Sequence, residues 1–499
     1  MDKNKQLSNT VTTLFEEWEK EQVLYCHWKS SDHLDASFTA ETDLDVLVNR
    51  KDALKAVKVA LDIGFVEVKS THFRGYPAVS DYICYDVELG RWVHLHFHTQ
   101  LELGDRWVKA YHIPFEALIL QNRVKLTDYN IWNIAPEFEM LILIYRMNAK
   151  FRKNWLLDKK IQEEINFISS TRNLSQSRIE DSFSNFLTEK AIALFYDLFE
   201  RKREYSKYSI NEYRKEFKVS QFSRMSKIRF FFFSKLRYSY RLYSEFNRRI
   251  LKNYASGRRT IPRGGVVVAF VGIDGSGKST GIERTAKFFA KQLNVQCNFL
   301  GSGKSGASWP RKLIMNLMGF KAKFKGHKKA KEQAAKNPSN IKELKSPPFY
   351  YLLWLWLCTR DREKQVKKIK WGLANCKLVF VDRWLQNSVL DGADAPRLGH
   401  FVNHKGFAGR LARREQKLYR EMEYLPVHQV VKLNITPEIS TQRKPGELTL
   451  ESAARAIDNM NNVNWPASAR VSEIDATQSV EVVTAQIKES IWTTIQEYK

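Results

Sequence analysis

The sequence predicts an α/β protein in two halves. The C-terminal half reads as a parallel sheet flanked by helices, and the N-terminal half as a mixed α/β domain. Three observations lead there. Apolar, β-branched runs at Val266–Gly272, Leu378–Val381 and Val430–Ile435 alternate with long helical stretches, the order of a parallel sheet. Ser256-Gly257 and Pro262-Arg263-Gly264-Gly265 are breakers that separate the halves. The 499 residues are 43% hydrophobic and 27% charged, which gives each half a core and excludes a disordered or collagen-like chain. The expected division is a domain over 1–205, a basic aromatic helical connector over 206–262, and a domain over 263–499 with a basic insertion at 301–346.

In the first domain, Asp43-Leu44-Asp45-Val46-Leu47-Val48 reads as a strand. Alternation puts Asp43 and Asp45 on one face. Paired carboxylates there can hold Mg²⁺ carrying a nucleotide, and Lys29-Ser30 upstream can support its phosphates. This resembles the nucleotidyltransferase pattern of a Gly-Ser pair followed by Asp-x-Asp, with lysine in the place of the glycine. In Trp92–His98 three histidines, His94, His96 and His98, alternate along one strand face. They can bind a transition metal, replace a third carboxylate, or form an ordinary polar face. Uncharacterised nucleotidyltransferase-like proteins encoded with bacterial surface-polysaccharide enzymes look similar here, and some are fused to a thymidylate-kinase-like half. That resemblance implies a role in polysaccharide assembly.

The connector is defined by charge and period. Net charge is +26, from 81 basic and 55 acidic residues. Residues 201–260 hold 18 Lys/Arg and 4 Asp/Glu, and residues 301–350 hold 12 and 2. The rest of the chain is nearly neutral, so two local elements attract anions. Ile228, Phe232, Leu236, Tyr240, Tyr243, Phe246 and Ile250 form one helical stripe, with arginines largely off it. Such a helix can lie on an anionic membrane through 219–255 or pack its stripe on a domain. No RNA- or DNA-reading motif is present, so a nucleic-acid partner is not expected. The longest apolar run, Phe349–Cys358, is half of the roughly 20 residues a spanning helix needs. Five scattered cysteines without a CxxC pair and an N-terminus without an apolar leader suit a reduced, cytoplasmic protein.

The second domain opens with the strongest signal in the chain. Gly272-Ile273-Asp274-Gly275-Ser276-Gly277-Lys278-Ser279-Thr280 fits GxxxxGK[ST] and lies between a buried strand and an amphipathic helix, Ile282–Leu293. Glycines let backbone N–H groups cradle phosphate oxygens. Lys278 is placed to neutralise the β/γ-phosphates of ATP, and Ser279 to bind Mg²⁺. The later Gly301–Gly306 run has Asn298 where its leading glycine should be, so it reads as an ordinary glycine-rich loop.

This loop resembles that of thymidylate kinases, and further landmarks follow in the family's order. Asp361–Val366 is similar to the helix whose arginine, here Arg362, grips acceptor phosphate. Asp382-Arg383-Trp384 is similar to the DR[YHF] motif. Val431–Glu438 followed by Arg443 is similar to the late strand and lid, and Ile474-Asp475-Ala476 to the last strand. The resemblance implies an ATP/Mg²⁺-dependent phosphotransferase. Asp382 would hold Mg²⁺ or orient the acceptor, Arg383 and Arg362 would hold acceptor phosphate, and Arg443 would be the lid cation. Asp274 would sit near the acceptor's sugar. Each arginine can instead be a surface ion pair. Leu385–Gly392 replaces the family's base-choosing segment, so the acceptor is expected to be a nucleoside monophosphate or a phosphorylated sugar or glycan intermediate. Asp391, Asp394 and Arg397 are candidates to line that pocket. A genuine dTMP kinase, or a nucleotide-gated assembly factor at a membrane surface with little transfer, are the other readings. Oligomeric state is not legible.

Overall fold

The computed structural model describes residues 6–498 apart from 72–74, 106–107, 151–155, 157, 172–174, 201–206, 252–255, 304–306, 318–346, 390–393 and 447. Most of the basic insertion, and Asp391, lie outside the described residues. The chain divides into two compact units, Met1–Pro262 and Arg263–Lys499. Residues 206–262, read from the sequence as a connector, fall in the first.

The first unit contains β1 (Tyr25–His27), β2 (Leu44–Val48), β3 (Val66–Val68), β4 (Val79–Asp86), β5 (Arg91–His98), β6 (Leu101–Gly104), β7 (Lys109–Ile113), β8 (Val124–Leu126) and β9 (Ile131–Asn133). Seven of them form a mixed sheet in the order β3-β4-β5-β2-β1-β9-β8, and β6 and β7 form a separate hairpin. β2 runs parallel to β5, and β5 antiparallel to β4. The register sets Asp45 opposite His96 and His96 opposite Asp81, so three strands bring these residues into one row. The helix Pro136–Ala149 is buried on nearly every side, as its all-round apolar sequence requires. Proline occupies its first turn, where a missing N–H costs nothing. Helices from 159 onward complete this core, which includes Ile210, Tyr213 and Phe217 of the predicted connector.

Of the two orientations the sequence leaves open for the helix Lys227–Arg249, the apolar stripe is not packed inward. Ile228, Phe231, Phe232, Tyr243 and Phe246 are 54–72% exposed. Ser244 and Asn247 are buried, and Arg237, Arg241 and Arg248 are partly covered. The polar, basic face is therefore the inward one.

The second unit is a five-stranded parallel sheet, with β10 (Val266–Val271), β11 (Val295–Phe299), β12 (Leu378–Asp382), β13 (Gln429–Asn434) and β14 (Arg470–Asp475) in the order β11-β12-β10-β13-β14. Every residue of β10 is buried, which matches an unbroken Val/Ala/Phe run in a central strand covered on both faces. The helices Lys278–Phe289, Phe349–Ala374, Gly406–Glu423 and Val480–Glu497 are part of the helical cover. The first of these begins at Lys278, four residues before its periodic stripe, because Gly277 in the left-handed region caps it directly after the loop. Among the described residues no helix is long and apolar enough to cross a membrane.

Candidate functional site

The loop 272–277 leaves the carboxyl end of the central strand β10, where parallel sheets place ligand sites. All three of its glycines sit at positive φ, Gly275 at +89° among them. Gly272 has φ +146°, and a Cβ there would meet the Leu433 carbonyl and the Ser276 hydroxyl at 2.7 Å. Gly277 has φ +87°, which a side chain rarely adopts. The loop borders an open cavity of about 950 Å³, together with Asp274, Gly275, Ser276, Lys278, Ser279 and Thr280.

Lys278 folds back over the loop. Its Nζ donates to the carbonyl oxygens of Gly272 at 2.9 Å and Ile273 at 2.7 Å. Burial, and after it the Arg383 guanidinium, push its ammonium down to about 8. A buried cation in that condition is a strong acceptor of anionic charge.

Asp382 ends β12 and faces Ser279, whose Oγ donates to its Oδ2 at 3.4 Å. Its Oδ1 is buried with no hydrogen-bond partner. Burial raises its pKa, against the pull of Lys278 and Arg383. An orphaned carboxylate oxygen beside a hydroxyl fits a hard divalent cation, so Mg²⁺ held by Ser279 and Asp382 is consistent with these residues.

Next to Asp382, the cavity is also lined by Arg383, which sits at φ +71°. It donates to Asp274 Oδ1 at 2.5 Å and to Asp394 Oδ2 at 3.4 Å. Burial acts to lower its pKa, but Asp394 and Asp274 outweigh that and hold it above the usual value. Asp274 is correspondingly depressed, because Arg383 and Lys278 overcome its burial. Arg397 lines the same cavity and stacks over Trp354 at 5.6 Å. Arg443 lines it too, but its donors go to the carbonyls of Gly275 at 3.3 Å and Ala476 at 3.0 Å. With Ser440, which donates to the Asp274 carbonyl at 2.7 Å, it ties the loop to the residue after β14.

Arg362 is placed elsewhere. It is 4% exposed and does not line the cavity. Its Nε donates to the Leu300 carbonyl at 2.9 Å and its Nη1 to the Tyr419 hydroxyl at 3.1 Å. The expected grip on acceptor phosphate is replaced here by a bracing role between the end of β11 and the helix Gly406–Glu423.

In the first unit, Asp43 and Asp45 do share a face, but the expected pairing on one Mg²⁺ is not what the side chains form. Asp45 Oδ1 takes Lys29 Nζ at 2.8 Å, His96 Nδ1 at 3.1 Å and His98 Nε2 at 3.3 Å. Asp43 takes His94 Nδ1 at 2.8 Å. The second nitrogen of His94 lies 3.0 Å from Asp81. These contacts make two mixed groups, Asp43–His94–His96 and Asp45–His96–His98, with ligand atoms within 4.8 Å. Imidazole donors and an ammonium on the shared oxygen do not suit Mg²⁺, which demands oxygen ligands; the mixed groups have the donor type of a transition ion. Asp81 is the carboxylate that sequence reasoning missed. It lies on β4 with no local motif, and only the antiparallel register brings it to His96.

No family model matches the chain. It is 32% identical over 188 residues to the uncharacterized ATP-binding protein YghS of Escherichia coli strain K12, spanning 36% of this chain and 73% of that protein. It is 24% identical over 228 residues to the uncharacterized ATP-binding protein YghR of the same strain, spanning 45% of this chain and 86% of that one. A thymidylate kinase structure from Ehrlichia chaffeensis aligns with 46% of this chain and 98% of its own, at 17% identity and a TM-score of 0.26. By its identity to YghS across most of that protein's length, the chain belongs to the YghS family.

Proposed function

We propose that the second unit binds ATP with Mg²⁺ and transfers the γ-phosphoryl group to a phosphorylated small-molecule acceptor. The observation that carries this is that one cavity is lined by the Lys278 loop, by Asp382, whose Oδ1 has no hydrogen-bond partner among the described residues, and by Arg383. The chain's similarity to the ATP-binding proteins YghS and YghR supports ATP as the donor.

Phosphoryl transfer asks the protein for positioning and charge neutralisation. In this reading the loop amides and Lys278 hold the β- and γ-phosphates. Ser279 and Asp382 would hold Mg²⁺, which would supply charge neutralisation at the donor phosphates. An acceptor oxygen attacks the γ-phosphorus, its bond forms as the bond to the β-phosphate oxygen breaks, and ADP leaves. Arg383 and Arg397 hold the acceptor's own phosphate, for which a guanidinium fork is better shaped than an ammonium. Asp274 and Asp394 fix Arg383 and stand where acceptor hydroxyls can reach. Arg443 stabilises the loop and adds positive charge beside it. The acceptor is a nucleoside monophosphate or a phosphorylated sugar or glycan intermediate, consistent with a place in surface-polysaccharide synthesis. A screen with γ-labelled ATP tests this: label transferred to an acceptor supports it, and ATP binding without acceptor-stimulated ADP release opposes it. Transfer to dTMP alone would identify a thymidylate kinase.

A second reading, a nucleotide-gated factor at the inner membrane surface, is favoured by the exposed face of the helix Lys227–Arg249. Ile228, Phe231, Phe232, Leu236, Phe246 and Ile250 are 48–72% exposed, and Lys227, Lys235 and Arg249 are exposed with them. That face carries no acid, so its complement is an anionic bilayer. Sedimentation with phosphatidylserine vesicles, lost on Phe231→Ser plus Phe232→Ser, is the expected result. Equal binding by the variant, or none by the parent, would count against it.

A further inference from the structure

We propose that the first unit holds a second anion site, separate from the phosphate loop, which grips a small polyphosphorylated ligand directly through guanidinium and ammonium groups, without a bridging divalent cation. Its place is a cavity of about 650 Å³, large enough for a nucleotide-sized ligand. Among the described residues, nine Lys and Arg side chains line it, against two acids, Asp81 and Glu102. Three further acids pair with lining cations from behind: Asp45 with Lys29, Glu164 with Arg146, and Glu245 with Arg241. Counting all five acids, the cations still outnumber them. Clefts walled by one sign of charge concentrate the opposite ion.

The helix Lys227–Arg249 explains how this arises. Arg237, Arg241 and Arg248 recur at helical spacing and reach the cavity together with Tyr240, while Ile228, Phe231, Phe232, Leu236, Tyr243 and Phe246 are exposed. A helix that gives up the burial of its aromatic face, so that three arginines can line a cavity, is arranged for an anionic occupant. Lys109, on β7, shows the same excess. Burial, and then Lys29, Lys150 and Arg146, push its ammonium down to about 8. The carboxylates in and behind the wall already carry cationic or hydrogen-bonding partners: Asp81 has His94, Arg259 and Ser70, Glu102 has Arg224, and Asp45 has Lys29, His96 and His98. Phosphate therefore meets the cations themselves.

The test uses the full chain carrying Lys278→Met, which disables the phosphate loop, with inorganic tripolyphosphate as probe and EDTA present. Calorimetry should show one saturable site that weakens as salt is raised. Arg237→Gln plus Arg241→Gln should weaken it at least about tenfold, since each removes a charge-assisted donor to phosphate. Lys109→Met should weaken it as well, and because it removes a charge that burial already opposes, it keeps the test decisive if the arginine pair misfolds. No saturable binding, binding that EDTA abolishes, or binding unchanged in both variants would overturn the proposal. These outcomes do not depend on whether the second unit transfers phosphate.

Discussion

Replacing Lys278 with methionine should separate function from stability. The ammonium is buried and titrates near 8 rather than 10.5. That difference corresponds to about 3 kcal/mol by which the folded, ligand-free unit disfavours the charged form. Below pH 8 the lysine is protonated in both folded and unfolded chains, and the penalty is fully present. Between pH 8 and 10.5 the folded state releases its proton first, so stability rises with pH. Lys278→Met removes the charge, but leaves the Gly272 and Ile273 carbonyls without their donor, at about 1 kcal/mol each. At pH 7 the ligand-free variant should therefore be about 1 kcal/mol more stable than the parent. At about 2–4 °C per kcal/mol, the pH-linked rise is about 6–12 °C in the melting temperature of this unit and is absent from the variant. Scanning calorimetry from pH 7 to 10.5, with and without ATP and Mg²⁺, reads both effects. The parent should gain about 2.7 kcal/mol at a ligand concentration 100 times Kd, and the variant nothing. The reasoning fails if the variant loses more than about 2 kcal/mol at pH 7, keeps the parent's extra pH dependence, or turns over ATP.

Asp382→Asn should leave the ligand-free unit as stable or more so, because burial already disfavours its charge, while the Mg²⁺-dependent part of ATP affinity falls at least about tenfold in titrations with and without Mg²⁺. Arg383→Ala should lower acceptor-stimulated kcat/KM by about 10²–10³-fold, and Arg383→Lys should rescue little, since one ammonium cannot span Asp274 and Asp394. His94 is held between Asp43 and Asp81, which raise its pKa against its burial. Its stabilising contribution is full below about pH 6.5 and is lost as pH rises through the folded value. Hydrogen exchange along β5 should show that loss in the parent and a flat profile in His94→Gln.

The parts of the molecule that were legible in the sequence are those written in contiguous residues. The loop 272–280, the buried strand before it and the helix after it form one local motif, and the cavity is built on them. Asp382 with Arg383, Arg397 and Arg443 reach that cavity from three distant segments, and Asp274, Gly275 and Ser276 do so from the loop itself. Arg362 shows where motif position falls short. It occupies the expected place in sequence, but its guanidinium is taken up by a main-chain carbonyl and a tyrosine. Asp81 was invisible because only antiparallel register brings it to His96. Lys29 was read as a phosphate ligand, yet its charge is first drawn to Asp45 at 2.8 Å. The helix Lys227–Arg249 had a legible period but not a legible orientation. Apolar residues go inside where the neighbouring wall is apolar, and here the neighbouring wall is a charged cavity.

Equilibrium binding of ATP to the full chain, with and without Mg²⁺, in the parent and in Lys278→Met, tests the central claim most directly. The account predicts a Mg²⁺-dependent component that the substitution removes. Absence of any Mg²⁺-dependent binding in the parent, or its survival undiminished in the variant, would contradict it.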